Sequence, residues 1–474
     1  MSESLSCDIC VIGGGSGGLS VAAGAARLGA RTVLIEGGRM GGDCLNVGCV
    51  PSKSLIAAAQ VAATARRAAA FGIDLMPPRV DWQRVHGHVR AVIDTIAPHD
   101  SVERFEGLGV RVIRDWAQFA SPETVLAGGL RIGAKRFVIA TGSVPAIPAI
   151  PGLSTLPFLT NETVFDIAEP MAHLLVLGAG AIGAELAQAY ARLGVAVTVL
   201  EQDRLLPRED PALVEIVRRA LVSDGVTLRE GFRAGAVMRR GNDIVVKGAE
   251  ASGQAAEVAG SHLLVATGRR ANLERLDLAK AQIAHTARGI TVDARLRTSN
   301  RRIFAMGDCV DLPGTGPLAF THVAGEHAGI VIRNALFRLP ARVDPKIVPR
   351  VTFTDPELAA IGLPMEAAAT VVEEAFAAND RAQTGRATAG RIRIGTARNG
   401  RILGVAMAGP QAGELLAPWC LALRGGMKLA AMARLLLPYP TLGEISKRAA
   451  GRFYAPRVFG PASRRLVGAL LRLP

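Results

Sequence analysis

Residues 7–12 form an apolar run broken only by Asp8, and the run stops at Gly13-x-Gly15-x-x-Gly18. Small residues continue to Gly29, and a second apolar stretch, residues 32–35, closes on Glu36. Short apolar runs bounded by glycine predict buried strands, and the small-residue stretch between them predicts a helix. The same order returns further on: apolar residues 173–177, Gly178-x-Gly180-x-x-Gly183, a small-residue stretch to Gly194, apolar residues 197–200 and Glu201. Ala26-Arg27-Leu28-Gly29 recurs as Ala191-Arg192-Leu193-Gly194. Two more apolar stretches end alike, one in Ala140-Thr141-Gly142 and one in Ala266-Thr267-Gly268.

The repeat has a physical reading. The first glycine of each motif permits a tight turn and the second admits a pyrophosphate against the backbone. The third allows helix to pack on strand. The helix N-terminus then faces the phosphates, and the closing acid accepts from a ribose hydroxyl. One such motif is weak; two in strand–turn–helix–strand order predict two Rossmann-like dinucleotide-binding domains in an α/β chain. Two dinucleotides in one chain point to electron transfer between a flavin and a nicotinamide. Glu201 favours a free ribose 2′-hydroxyl over a 2′-phosphate, so NAD(H) is expected over NADP(H), with Arg204 as the residue that could accommodate NADPH.

Composition narrows the class. The chain has 474 residues, of which 49% are apolar and 20% charged, enough for several globular cores. Its net charge is +14, but the basic residues are dispersed and only 4% of residues are aromatic, which argues against nucleic acid. The first nine residues carry Glu3 and Asp8 and no basic-then-apolar order, so no signal peptide is expected. Six cysteines do not make a disulfide framework at this length. They fit a reducing, cytoplasmic setting in which a thiol pair does chemistry.

That pair is Cys44 and Cys49, in Gly42-Asp43-Cys44-Leu45-Asn46-Val47-Gly48-Cys49-Val50-Pro51-Ser52-Lys53. A helix starting near Pro51 would set its positive end beside the thiols and favour a thiolate. The pair follows the first glycine motif directly, so the first nucleotide should be the flavin, FAD, and the second the nicotinamide nucleotide.

Taken together, the first motif with Glu36, the Cys44–Lys53 segment, the Ala-Thr-Gly ends, the second motif with Glu185 and Glu201, and the Ile303-Phe304-Ala305-Met306-Gly307-Asp308 stretch resemble the flavoprotein disulfide reductases. These include dihydrolipoamide dehydrogenase and mercuric reductase, and the resemblance runs nearly end to end. It implies that Cys49 lies against the flavin and Cys44 exchanges with substrate. It further implies that Lys53 stands near the reactive flavin nitrogen with Glu185 as its partner, and that Asp308 bonds the ribityl chain. FAD contacts are expected at Gly13, Gly15, Gly18, Glu36, Gly42, Lys53, Thr141, Gly142 and Asp308. NAD contacts are expected at Gly178, Gly180, Gly183, Glu201 and Gly268. The implied organisation is an FAD domain (1–150), an NAD(P) domain (151–270), a return to the FAD side (271–342) and a C-terminal α+β dimerisation domain (343–474). The partner subunit of a homodimer would complete each active site.

One position departs from the resemblance. Where disulfide-handling members carry a His-Pro-Thr segment followed by Glu, this chain has Tyr439-Pro440-Thr441 and Glu444, and its last histidine is His327. A phenol titrates at about 10 and is a poor base at neutral pH. Weak lipoamide or glutathione turnover is therefore expected. Tyrosine here looks like mercuric reductase, yet the C-terminus lacks the paired cysteines that deliver metal there. A lipoamide-like disulfide, Hg(II) or another metal, and a quinone or oxidant all remain open as acceptors. The alternative is a redox-sensing flavoprotein.

The remaining features are assigned blander roles. Cys7 and Cys10, on one strand, should face opposite sides and hold no zinc, and no resident metal is expected. Cys309 and Cys420 are expected to be inert, His86 and His88 to lie at the surface, and Thr321-His322 to have a structural role near the flavin. Residues 463–473 alternate arginine with leucine and valine, which predicts either a helix end packed on the dimer or a basic amphipathic helix on anionic lipid.

Overall fold

The structure, a computed structural model, describes residues 3–473. The chain forms two compact units. Of the described residues, the first comprises 3–178, 189–202 and 232–345, and the second 179–188, 203–231 and 346–473.

The first unit is built on the predicted repeat. Strand β1 (Ser4–Ile12) leads into helix α1 (Ser16–Arg27) and strand β2 (Thr32–Ile35). Two helices carry the thiol segment, α2 (Gly42–Asn46) and α3 (Cys49–Arg67). Strands β3 (Val110–Ile113), β4 (Gln118–Ser121), β5 (Thr124–Ala127) and β6 (Leu130–Ile139) complete the path β3-β2-β1-β6-β5-β4. The centre of this sheet is parallel, and β4–β5–β6 is an antiparallel meander at its edge. Central parallel strands are covered on both faces, so β2 is buried at every position.

The second copy supplies β7 (His173–Leu177), α4 (Ala181–Arg192) and β8 (Ala196–Glu201), and β9 (His262–Val265) pairs with β7 on its other side. Strand β10 (Ile303–Ala305) returns to pair with β6. Helix α5 (Thr321–Ala335) then packs on α1 at close range. A Cβ at Gly24 would lie 2.5 Å from Ile332 Cδ1, and one at Gly17 would lie 2.7 Å from Met306 Cε. The small residues of α1 are thus what lets these elements approach.

The second unit contains an antiparallel sheet of β11 (Arg350–Thr352), β12 (Glu357–Gly362), β13 (Thr370–Ala375), β14 (Arg391–Thr396) and β15 (Ile402–Gly409), in the order β11-β12-β15-β14-β13. Its core holds Phe376, Ile392, Met407 and Trp419, and Trp419 Nε1 donates to Ser446 Oγ at 3.1 Å. Ser446 lies on α6 (Glu444–Val458), which is followed by α7 (Pro461–Leu470). Among the described residues, no helix is long and apolar enough to cross a membrane. The architecture is that of two Rossmann-like domains and a C-terminal α+β domain.

The thiol-bearing helix starts at Cys49, close to the expected start near Pro51, so Cys49 itself occupies the first helical position. Cys7 and Cys10 are both buried in β1, and Cys7 Sγ donates to Gly133 O at 3.7 Å.

Candidate active site

The two glycine turns are built alike. Gly13 has φ of +109° and Gly178 has φ of +105°, and their amides donate to Ile35 O and Leu200 O at 2.8 and 2.9 Å. A Cβ at Gly13 would lie 2.3 Å from Ala140 O, and one at Gly178 would lie 2.6 Å from Ala266 O. Each Ala-Thr-Gly strand end is therefore the floor beneath one glycine turn, which explains why the two signals occur in pairs. Gly18 fits as tightly, with 1.9 Å from an added Cβ to Gly13 O.

Gly15 caps α1 without a side-chain acceptor, which leaves first-turn amides for an anion. Glu36 is held by the amides of Gly14 and Gly38, one on each carboxylate oxygen. Both features fit the pyrophosphate and ribose of FAD. In the second copy Gly180 is open on its Cβ side, Gly183 is buried and Glu201 ends β8 half-buried. Gly142 and Gly268, both at positive φ, have open space beside them.

The thiol segment is joined to the first glycine turn. Gly41 N donates to Gly14 O at 2.9 Å, and a Cβ at Gly42 would lie 2.7 Å from Gly15 Cα. Only glycine, at φ of +60°, serves at position 42. From here α2 carries Cys44 and α3 opens with Cys49.

Both cysteines are thiols here, and their side chains hydrogen-bond to each other. That bond, reinforced by burial, pushes the Cys44 thiol well above its usual value, so Cys44 is the partner that keeps a proton. Cys49 is exposed at the helix N-terminus, where the helix dipole favours a thiolate. Thr321 Oγ1, at the start of α5, lies 3.6 Å from Cys49 Sγ and also hydrogen-bonds Cys44. Sequence reasoning assigned Thr321 a structural role and missed this contact. Its neighbour His322 stacks on Phe320 with ring centres 5.2 Å apart. Lys53 lies half-buried one helical turn beyond Cys49.

A polar network that the sequence did not suggest braces the segment. Arg269 follows the second Ala-Thr-Gly and ion-pairs with Asp43, the residue before Cys44. Its Nε donates to Ser143 Oγ at 2.7 Å, and Nη1 donates to Asn161 Oδ1 at 3.2 Å. Ser143 Oγ in turn donates to Asp308 Oδ2 at 2.8 Å. Burial raises the Asp308 carboxyl from its ordinary value, against the opposing pull of Ser143 and Arg269.

In the second unit, Glu185 is 6% exposed and accepts from Phe353 N at 2.9 Å. Tyr439 is 69% exposed, and its hydroxyl donates to Asp380 Oδ2 at 2.9 Å. This bond raises the phenol from its ordinary value, and Arg448 Nη2 steadies Asp380 from 3.6 Å. Glu444, the first residue of α6, accepts weakly from Thr441 N at 3.4 Å. Asp380 was not among the expected residues.

The comparisons agree with this construction. Residues 7–328 match the family described as pyridine nucleotide-disulphide oxidoreductase, and residues 348–450 match its dimerisation domain. The chain is 33% identical to a mercuric reductase of Streptomyces lividans, covering 94% of this chain and 96% of that one. It is 35% identical to a dihydrolipoyl dehydrogenase of Thermus scotoductus, covering 92% and 95%. Among solved structures it superposes with a TM-score of 0.84 on a Cu(II) complex of the HOCl-induced flavoprotein disulfide reductase RclA from Escherichia coli, at 26% identity over 95% of this chain and 100% of that one. Two glycine turns of the same build, a thiol pair joined to the first and a C-terminal domain thus coincide with those matches, and the chain belongs to the pyridine nucleotide-disulphide oxidoreductases, a family of FAD-dependent oxidoreductases.

Proposed function

We propose that this enzyme oxidises NADH and delivers the electrons through the Cys44–Cys49 pair to a thiophilic metal ion of the Hg(II) class. The observation that carries the choice of acceptor is the Tyr439–Asp380 hydrogen bond. Disulfide exchange needs a group that takes and returns a proton near neutral pH. A phenol already donating to a carboxylate, and raised by it, does not supply one. A soft metal ion displaces the remaining thiol proton to solvent as it binds, and so needs no such base. The mercuric reductase relatives and the copper-bound RclA support the same reading.

FAD, when bound, supplies the two-electron relay between nicotinamide and thiols. Gly13, Gly15, Gly18 and Gly42 would hold its pyrophosphate side, Glu36 a ribose, Thr141 and Gly142 the strand end beneath it, and Asp308 the ribityl chain. Lys53 contributes a cation on the thiol side, and Glu185 a buried carboxylate on the nicotinamide side. Gly178, Gly180, Gly183 and Gly268 form the nicotinamide nucleotide turn, with Glu201 selecting NADH. Cys44 and Cys49 bind the acceptor, Cys49 entering as thiolate. For Hg(II) the balance is NADH plus Hg(II) to NAD⁺, a proton and Hg(0). We further propose the four-segment organisation given by the sequence, working in a reducing, cytoplasmic compartment as a homodimer. Tyr439 and Glu444 of the C-terminal domain complete the partner's thiol site.

Steady-state NADH oxidation by the purified, FAD-loaded protein tests the reading. Hg(II) or Cu(II), buffered with excess small thiol, should give the higher kcat/KM. Faster turnover of lipoamide or glutathione disulfide would overturn it in favour of a disulfide reductase.

A further inference from the structure

From Ile445 to the C-terminus, every charged residue is basic. The last element there, α7, buries none of its side chains. Leu466, Val467, Leu470, Leu471 and Leu473 are 61, 51, 53, 80 and 66% exposed. Within α7, at about 100° per residue, Leu466, Val467 and Leu470 share one arc and Arg464 and Arg465 fall on the opposite side, with Leu471, Arg472 and Leu473 following beyond the helix end. Phe459, just before the helix, adds an exposed ring at 67%, and Arg457 stacks on the neighbouring Phe453 at 5.2 Å.

We infer that α7 and its flanks form an in-plane anchor for an anionic lipid surface. Leucines on one arc and arginines on the other are the pattern of a helix lying at the headgroup boundary. The apolar stripe enters the acyl region while the long arginine stems reach back to phosphates. Charge chooses the occupant: every charged residue after Glu444 is basic, which an anionic surface complements and a second copy of the same helix does not. The match to the dimerisation domain also ends at residue 450, before α7 begins. Each arginine near an anionic surface adds favourable energy, and the attraction falls within a Debye length.

Flotation of the full-length, FAD-loaded protein with phosphatidylglycerol-containing vesicles, beside pure phosphatidylcholine vesicles, tests the anchor. The protein should float with the anionic vesicles only and be released in about 1 M salt, where screening is nearly complete. Replacing Arg464, Arg465 and Arg472 with Gln should weaken binding on the order of 100-fold. Leu466→Glu with Leu470→Glu should abolish flotation while leaving NADH-dependent flavin reduction intact, which shows that the variant folds. Wild-type protein that stays at the bottom with anionic vesicles would overturn the inference. So would equal binding to neutral vesicles. A Leu466→Glu/Leu470→Glu variant that turns from dimer to monomer in light scattering would do so as well, since the face would then belong to a second copy.

Discussion

Tyr439 and Asp380 form a hydrogen-bonded pair on the surface of the second unit, with the phenol donating at 2.9 Å. Glu444, the residue expected to act with Tyr439, sits at the start of α6 and accepts from the Thr441 amide. The phenol is thus tethered by an acid from elsewhere in the chain, and Asp380 raises it from its ordinary value. Tyr439→His should therefore raise disulfide turnover, within the range of about 10²- to 10⁴-fold expected for acid–base help. Lipoamide kinetics across pH 6–9 would check this. A flat response would mean that something other than the missing imidazole limits exchange.

The thiol pair makes a second prediction. Because Cys44 holds its proton and Cys49 opens α3, Cys49 should be the thiolate of the reduced enzyme. A long-wavelength absorbance band should appear on two-electron reduction of the FAD-loaded protein. It should vanish in Cys49→Ser and persist in Cys44→Ser. The opposite pattern would reverse the two roles.

Gly42 should tolerate no side chain. Gly42→Ala adds a Cβ 2.7 Å from Gly15 Cα at φ of +60°, a backbone cost of about 1–3 kcal/mol before the clash is counted. The purified variant should carry less FAD than wild type, as read from the ratio of flavin to protein absorbance. Full flavin loading with an unchanged Tm would show that the contact can relax.

His327 gives the protein an acid-sensitive term. It is 0% exposed, its Nδ1 accepts from Gly307 N at 3.2 Å, and burial pulls its pKa down to about 4 from 6.5. The folded state therefore binds this proton less readily than the unfolded state. Stability is full above pH 6.5 and falls as the pH drops towards 4, by about 3 kcal/mol in total. His327→Asn keeps an acceptor near Nδ1 and removes the titration. Its Tm should fall less steeply between pH 7 and 4.5 than that of wild type, whatever its absolute stability. Parallel curves would refute the assignment.

Glu201 should set the nucleotide preference. Glu201→Gln removes the charge that opposes a 2′-phosphate, so the ratio of kcat/KM for NADH over NADPH should fall by about tenfold or more. An unchanged ratio would place the preference elsewhere.

The parts of the site visible in sequence are those whose signal is local. Glycine turns, their acids and the spaced cysteines each lie within one short stretch, and the repeat made them mutually supporting. The Ala-Thr-Gly ends were visible as well, although their role as floors beneath Gly13 and Gly178 needed the fold. Arg269, Ser143, Thr321 and Asp380 were invisible as site residues for the opposite reason. Each meets its partner only through the topology: Arg269 reaches Asp43, and Thr321 reaches Cys49, across most of the first unit's length. No spacing rule links such residues.

The bond from Gly41 N to Gly14 O makes the phosphate turn and the thiol segment a single piece of backbone. A ligand that stabilises one then stabilises the other by the same RT ln(1 + [L]/Kd). Cofactor occupancy is accordingly a quantity the thiols feel before any electron moves. Protein short of cofactor would hold its cysteines in a looser loop, more open to alkylation and over-oxidation. The supply of FAD then protects the reactive thiols as well as equipping them.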